Sequence, residues 1–205
     1  MTDTMKHTIT ILFALTLALS SCKQEPANND SNQATAAKVE DEAQESLYLL
    51  DSEWLDQTGA PRTLADFSGR LIVTAMIFTN CAFACPRIIV DLKAIEAGIP
   101  KGREQDVHFL LVSMDSARDT PDVLTAFAES QDLDPSNWTL LHGDEFAVRG
   151  VGAALGVRYK KGLNGDFAHS NIITLLGRDG VILHQLEGLS ADAAATHAAI
   201  RANLP

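Results

Sequence analysis

From residue 71 onward, continuous apolar runs alternate with helix-periodic stretches. Leu71 to Phe78 (LIVTAMIF) shows almost no polar alternation, as expected of a strand covered on both faces. Ile88, Ile89, Leu92 and Ile95 recur at helical spacing, which predicts a helix over roughly 84–97 with Pro86 in its first turn. Val107 to Met114 (VHFLLVSM) reads as a second buried strand. Asp119-Thr120-Pro121-Asp122 reads as a helix start, a cap with Pro just inside, and Val123, Leu124, Phe127 and Ala128 on the helix. Trp138 to His142 is a short strand, and Glu145 to Leu155 a helix closed near Gly156. Ser170–Leu176 and Val181–Leu186 flank Gly177-Arg178-Asp179-Gly180, a hairpin signal. An Ala-rich helix begins near Ser190-Ala191-Asp192 and runs to about Asn203. Ahead of residue 71, Ser46–Asp51 reads as a strand, Gln57-Thr58-Gly59 as a turn, and Thr63–Gly69 as a polar connection with Leu64 and Phe67 turned inward.

This order is β-α-β-α-β-α-β-β-α behind short β elements. Parallel crossovers followed by a terminal hairpin and helix predict an α/β fold: a thioredoxin-like three-layer sandwich with a central mixed sheet and a C-terminal hairpin plus helix.

The N-terminus has a different pattern. Lys6 and His7 precede an apolar run, Ile9–Leu19, and small residues lead to Cys22. This is the layout of an export signal, and the run is too short to span a bilayer comfortably. Leu19-Ser20-Ser21-Cys22 resembles a bacterial lipobox, so residues 1–22 are expected to be a lipoprotein signal with Cys22 the lipidated residue. Residues 23–45 are rich in Asn, Gln, Ala, Asp and Glu and nearly free of large apolar side chains. They cannot bury enough surface to offset ordering entropy, so a tether is expected. Residues 46–205 form the one globular domain. Its expected place is the periplasmic face of a bacterial membrane, held to the bilayer through Cys22.

Composition narrows the function. The 205 residues carry 16 Lys+Arg against 27 Asp+Glu, a net charge of -11. Such a balance offers no general attraction to phosphate backbones, so nucleic acid is not the expected partner. Three cysteines are too few for a disulfide-scaffolded fold.

With Cys22 assigned to the anchor, Cys81 and Cys85 remain. They sit at a strand-to-helix junction, the carboxyl edge where ligands gather in α/β sheets. A helix N-terminus favours negative charge, so at least one thiol is expected to ionise more easily. The i, i+4 spacing brings both sulfurs to one side of a turn, and a thiolate pair suits Cu(I), Zn or Fe–S chemistry. Two sulfurs call for a third ligand. The candidates are His108, His142, His169, His184 and His197. His108 reads as a core or edge residue, His197 as exposed, His142 as the end of a strand, and His184 as mid-hairpin. His169 follows the loop KKGLNGDFA (residues 160–168) and opens the hairpin's first strand. In such a sandwich that position lies against the cysteine-bearing helix start, which raises it above the others.

Several stretches together resemble the Sco/SenC family. FTNCAFACP (78–86) is similar to that family's FTxCPxxCP signature. SMDSARDTPDVLTAF (113–127), WTLLHGD (138–144), Phe167-Ala168-His169-Ser170 and the upstream DQTGAPRTLADFSG also match, so the resemblance covers about Leu47 to Leu189. It implies a membrane-anchored, thioredoxin-like domain that binds one copper through Cys81, Cys85 and His169, as Cu(I) first and Cu(II) second. It also implies a role in assembling the dinuclear copper centre of cytochrome c oxidase. The implied partners are the oxidase's copper-receiving subunit or another copper client, together with a copper donor or a thiol reductant. Ala82-Phe83-Ala84 depart from the family's usual Pro and acidic residue between the cysteines.

The second reading is a thiol-disulfide oxidoreductase. Cys81, on the solvent side, would attack a client disulfide and Cys85 would resolve the mixed disulfide. The CxxxC spacing and the absence of Pro at Ala168-His169-Ser170 separate it from general thioredoxins. Two further readings are weaker. A structural Cys81–Cys85 disulfide closes only a short loop and leaves His169 unexplained. A peroxiredoxin-type peroxidase lacks its Thr-x-x-Cys pattern here. Trp138 and Phe127 read as core, Met114 as packing, and Lys160-Lys161 after Tyr159 as a solvated turn rather than a docking patch. The glycines at 162 and 165 predict a mobile 162–168 loop that metal orders through His169.

Overall fold

The computed structural model describes residues 45–81, 84–162 and 166–205. The expected export signal with Cys22, nearly all of the expected tether, Ala82, Phe83 and residues 163–165 lie outside the described residues.

The described elements in chain order are β1 (Trp54–Asp56), β2 (Pro61–Arg62), β3 (Leu71–Ile77), α1 (Ala84–Ala97), β4 (Val107–Ser113), α2 (Pro121–Ser130), β5 (Trp138–His142), α3 (Glu145–Ala154), β6 (Tyr159–Lys161), β7 (Phe167–His169), β8 (Ile172–Leu176), β9 (Ile182–Glu187) and α4 (Ala194–Asn203). Seven strands form one mixed sheet in the order β2-β1-β5-β4-β3-β8-β9. β3 runs parallel to β4, and β4 to β5, while β8 and β1 pair antiparallel at the flanks. Every residue of β3 and β4 is buried, as their unbroken apolar runs predicted.

The register assigns the two faces. Val73, Phe109 and Trp138 are cross-strand neighbours on one face. There Phe109 and Trp138 stack with ring centroids 4.4 Å apart, and Trp138 Nε1–H donates to Glu96 of α1 at 2.8 Å. Thr74, Thr174 and Gln185 line up on the other face. Gln185 Nε2–H there donates to the Leu155 carbonyl at the end of α3 and to Thr174 Oγ1. Helices thus cover both sides of the sheet, giving the thioredoxin-like three-layer sandwich. α4 closes on α1, where His197 Nε2 meets the Ile95 carbonyl at 3.2 Å. This approach requires Gly98, because a Cβ there would stand 2.2 Å from the His197 ring. His197 is therefore half-buried and bonded, not exposed as its place on the last helix suggested.

Two other expectations change. Ser46–Asp51 is not a strand: Leu47–Leu49 form a 3-10 turn capped by Ser46, and Leu47 N–H bonds to the Gly180 carbonyl at the β8–β9 turn. The stretch read as a loop before His169 contains a second, two-stranded sheet. β6 and β7 pair antiparallel with Tyr159 opposite His169 and Lys161 opposite Phe167. Of the loop 162–168 expected to be mobile, Phe167 and Ala168 are paired strand, and residues 163–165 lie outside the described residues.

Candidate metal centre

The last ladder contact of β3 is the Met114 N–H on the Ile77 carbonyl, at 2.8 Å. Beyond it the chain leaves the sheet through Phe78, Thr79 and Asn80 to reach Cys81. Parallel strands deliver their carboxyl ends to one edge, so the segments after β3 and β4 meet there.

Cys81 is half-buried and Cys85 fully enclosed, and no disulfide joins them. The Cys85 N–H donates to Cys81 Sγ at 3.3 Å, and the Phe78 N–H donates to Cys85 Sγ at 3.5 Å. The cysteines are therefore held together by backbone donors, and Cys81 is on the solvent side as expected. Burial pushes the Cys85 thiol well above its ordinary pKa. The Phe78 N–H opposes this in part, and Cys81 and Asp119 reinforce it. Cys85 is thus not the easily ionised thiol that a helix start suggested, because desolvation outweighs the helix field.

His169 ends β7 and is half-buried. Its Nδ1 lies 3.1 Å from the Ser170 carbonyl. A carbonyl can only accept, so Nδ1 carries the proton and Nε2 of the neutral ring keeps a lone pair. That Nε2 is buried and has no hydrogen-bond partner among the described residues. The ring meets Phe78 edge-on, with centroids 6.0 Å apart, and Phe78 also packs on Phe167 at 5.2 Å.

Phe78 therefore touches both halves of the candidate site, its N–H on Cys85 and its ring on His169. The three residues are not gathered into a ready cluster: among the described residues, no three His, Cys, Asp or Glu side chains stand close enough to hold a metal ion. The donor chemistry nonetheless fits a soft ion. It comprises two thiols and an imidazole nitrogen with no other partner, whose ring is oriented by a carbonyl in the manner of ligating histidines.

The remaining histidines differ. His108 is buried against Phe67, centroids 5.6 Å apart, and its Nε2 is 2.9 Å from Thr139 Oγ1. Burial, with help from the charges of Arg70 and Arg62, lowers its pKa to about 3. His142 Nδ1 and His184 Nε2 are buried without hydrogen-bond partners, so an orphaned nitrogen does not by itself distinguish His169. Its position beside Phe78 does.

The helix start lies where the sequence placed it, with Thr120 as the cap of α2 and Pro121 just inside, while the Asp119 side chain turns inward and is fully buried. Its Oδ1 accepts from Thr79 Oγ1 at 2.6 Å, and its Oδ2 accepts from the Thr79 N–H at 3.0 Å and from Ser113 Oγ at 2.6 Å. Hydrogen bonds to a charged group contribute about 1.5–3 kcal/mol each. The sequence hid this role because Asp before Thr-Pro is also the composition of a cap. Lys161 likewise does more than solvate a turn: its Nζ lies 3.8 Å from the buried Asp115 and 5.4 Å over the Phe167 ring. A cleft of about 510 Å³ opens beside the β6–β7 hairpin, lined in part by Met114, Arg149, Tyr159 and Lys161. Its described lining does not include Cys81, Cys85 or His169.

Phe78, Thr79 and the cysteines, Ser113 and Asp119, and His169, far apart in sequence, thus meet at one edge of the sheet. The SCO1/SenC family model matches residues 40–204. The chain belongs to the SCO1/SenC family. Among its relatives, a SCO1 protein homolog of Bacillus subtilis (strain 168) is 28% identical over 140 residues, 65% of this chain and 70% of that protein. The crystal structure of a SCO1/SenC family lipoprotein from Bacillus anthracis str. Ames is 25% identical with a TM-score of 0.67, covering 74% of this chain and 91% of that one. The structure of Bradyrhizobium japonicum ScoI with copper bound has a TM-score of 0.63 at 24% identity, covering 75% and 97% of the two chains. For this SCO1/SenC domain the likeness to these structures places the fold. The cysteine pair, Phe78 and His169 place the candidate chemistry on it.

Proposed function

We propose that this protein binds copper through Cys81, Cys85 and His169 and delivers it to, or helps assemble, the dinuclear copper centre of cytochrome c oxidase. The observation that carries the reading is the buried, unpartnered Nε2 of His169 on the same phenylalanine that holds Cys85. Copper is the cargo, as Cu(I) on two sulfurs and one nitrogen, with Cu(II) as the second state. Capture would draw the imidazole toward the sulfurs, since the Ser170 carbonyl already fixes which nitrogen keeps its lone pair. An open three-ligand set can pass the ion on by stepwise exchange with a client's Cys, His or Met groups. Lipid attachment at Cys22 and a tether over 23–45 would hold the domain at the periplasmic face of a bacterial membrane, within reach of a membrane-embedded copper-receiving subunit. Family membership and the lipoprotein relative support this placement.

The test is anaerobic copper titration of the reduced protein by absorption and X-ray spectroscopy. One equivalent bound with sulfur and nitrogen donors supports the reading. No uptake, or equal uptake after His169→Ala, would falsify it.

A second reading is favoured by the exposure difference between the cysteines. The half-exposed Cys81, as thiolate, would attack a client disulfide and expel one client thiolate. Cys85 would then attack the mixed disulfide, releasing the second client thiol and leaving a Cys81–Cys85 disulfide. A dithiol reductant would have to restore the pair. Stoichiometric reduction of oxidised client peptide by the copper-free protein is its test, and a pair that leaves the peptide oxidised removes it.

A further inference from the structure

We propose that Asp119 is a positioning residue for the cysteine pair: its buried carboxylate grips Thr79 and so fixes the segment that carries Cys81 and sets Phe78 against Cys85. This inference rests on Cys81 and Cys85 being the reactive pair.

The grip has two prongs. One oxygen of Asp119 takes the Thr79 hydroxyl and the other takes the Thr79 N–H, which fixes both the position and the orientation of that residue. Thr79 needs such a partner because the β3–β4 ladder has already ended at Ile77 and Met114. The carboxylate stands in for the missing strand. It is itself anchored from the far side: the Asp115 N–H donates to Ser113 Oγ at 3.0 Å, so the single proton of that hydroxyl points at Asp119 Oδ2. The Asp119 N–H closes the ring on the Asp115 carbonyl at 3.0 Å. From Thr79 only Asn80 separates the clamp from Cys81. On the other side Phe78 presents its N–H to Cys85 and its ring to His169.

Helix capping does not explain the residue, since its side chain is turned away from the first turn of α2. Packing does not explain it either, because an apolar side chain would fill the space while leaving the Thr79 N–H, the Thr79 hydroxyl and the Ser113 hydroxyl without an acceptor. A carboxylate supplies acceptors on two sides at once.

The test compares Asp119→Ala, Asp119→Asn and Thr79→Val with the parent protein by two readouts. These are the copper-free reduction potential of the Cys81/Cys85 pair and the sulfur-to-copper charge-transfer spectrum. Gly98→Ala, which disturbs the α1–α4 contact away from the site, controls for general destabilisation. Asp119→Ala should shift the dithiol equilibrium about tenfold, roughly 30 mV for a two-electron couple, and move the charge-transfer band. Thr79→Val, which removes one prong and keeps the N–H, should shift both in the same direction by less. Asp119→Asn, which can still accept from the Thr79 N–H, should fall between Asp119→Ala and the parent. Potentials and spectra unchanged in both Thr79→Val and Asp119→Asn would overturn the inference, as would an equal shift in Gly98→Ala. A parent protein that takes up no copper would refute the copper reading alone, because the copper-free potential still judges the clamp.

Discussion

His108 and His169 each keep a ring nitrogen buried without a hydrogen-bond partner, yet they sit at opposite ends of the sheet. His108 is the second residue of β4, beside Ile72, whereas the cysteines follow the other end of that strand pair at Ile77 and Ser113. At about 3.3 Å per residue the two ends are roughly 16 Å apart along the strands. His108 is enclosed by Phe67 and faces a hydroxyl, Thr139 Oγ1, so burial leaves it a neutral core residue. His169 is oriented by a carbonyl and shares Phe78 with a thiol. An orphaned nitrogen acquires chemical meaning from the groups beside it, and burial alone does not supply it.

The sharpest way to break this comparison is to remove each imidazole. His169→Ala should weaken copper binding by more than about 100-fold, beyond the roughly 10–100-fold that loss of an outer hydrogen-bond partner costs. The double variant His108→Leu/Thr139→Val should leave the copper titration unchanged. Competition titration with a Cu(I) chelator reads both.

Acid stability should separate them in the opposite sense. His108 protonates near pH 3 when folded and near its ordinary 6.5 when unfolded. Between those values the unfolded chain holds the extra proton, so stability falls as pH drops through the window, by up to about 1.4 kcal/mol per unit. From pH 6 to pH 4 that amounts to about 2–3 kcal/mol. Urea unfolding of the parent across this range should show the slope, and His108→Leu/Thr139→Val should flatten it. An unchanged slope in the double variant would mean that His108 is not the titrating group.

A third histidine sharpens the contrast on the packing side. Gly98→Ala puts a methyl into the His197 ring and should cost about 1–3 kcal/mol of overpacking, read as a lower melting temperature with copper affinity unchanged. The smallest effect belongs to Arg149→Ala. Its ion pair with Glu145 spans 3.8 Å between side chains that are 76% and 81% exposed, so the melting point should stay within about 0.5 kcal/mol equivalent of the parent.

Much of the scaffold was legible in the sequence because its signals are local. The strand over LIVTAMIF and the helix over 84–97 lie where periodicity placed them, since both are long and strongly patterned. Position in the sequence singled out the cysteine pair and His169, and the structure sets Phe78 against both Cys85 and His169. The β6–β7 hairpin was missed because each strand has three residues and Lys160-Lys161 reads as solvent-facing. Tyr159 and Phe167 flanking an Asn-Gly dipeptide were the available cue. The inward turn of Asp119 was missed for another reason. Its partners, Thr79 and Ser113, become neighbours only when β3 lies beside β4, and nothing in Asp-Thr-Pro distinguishes a cap from an interior acceptor.

The two-stranded ribbon of β6 and β7 shares no ladder with the seven-stranded sheet. His169 and the two cysteines are therefore mounted on backbones that answer to separate hydrogen-bond systems. On the copper reading proposed above, a slight pivot of the ribbon would lengthen or shorten the gap between them while the main sheet keeps its ladder, so that grip on a cargo would be tuned apart from the stability of the body that carries it.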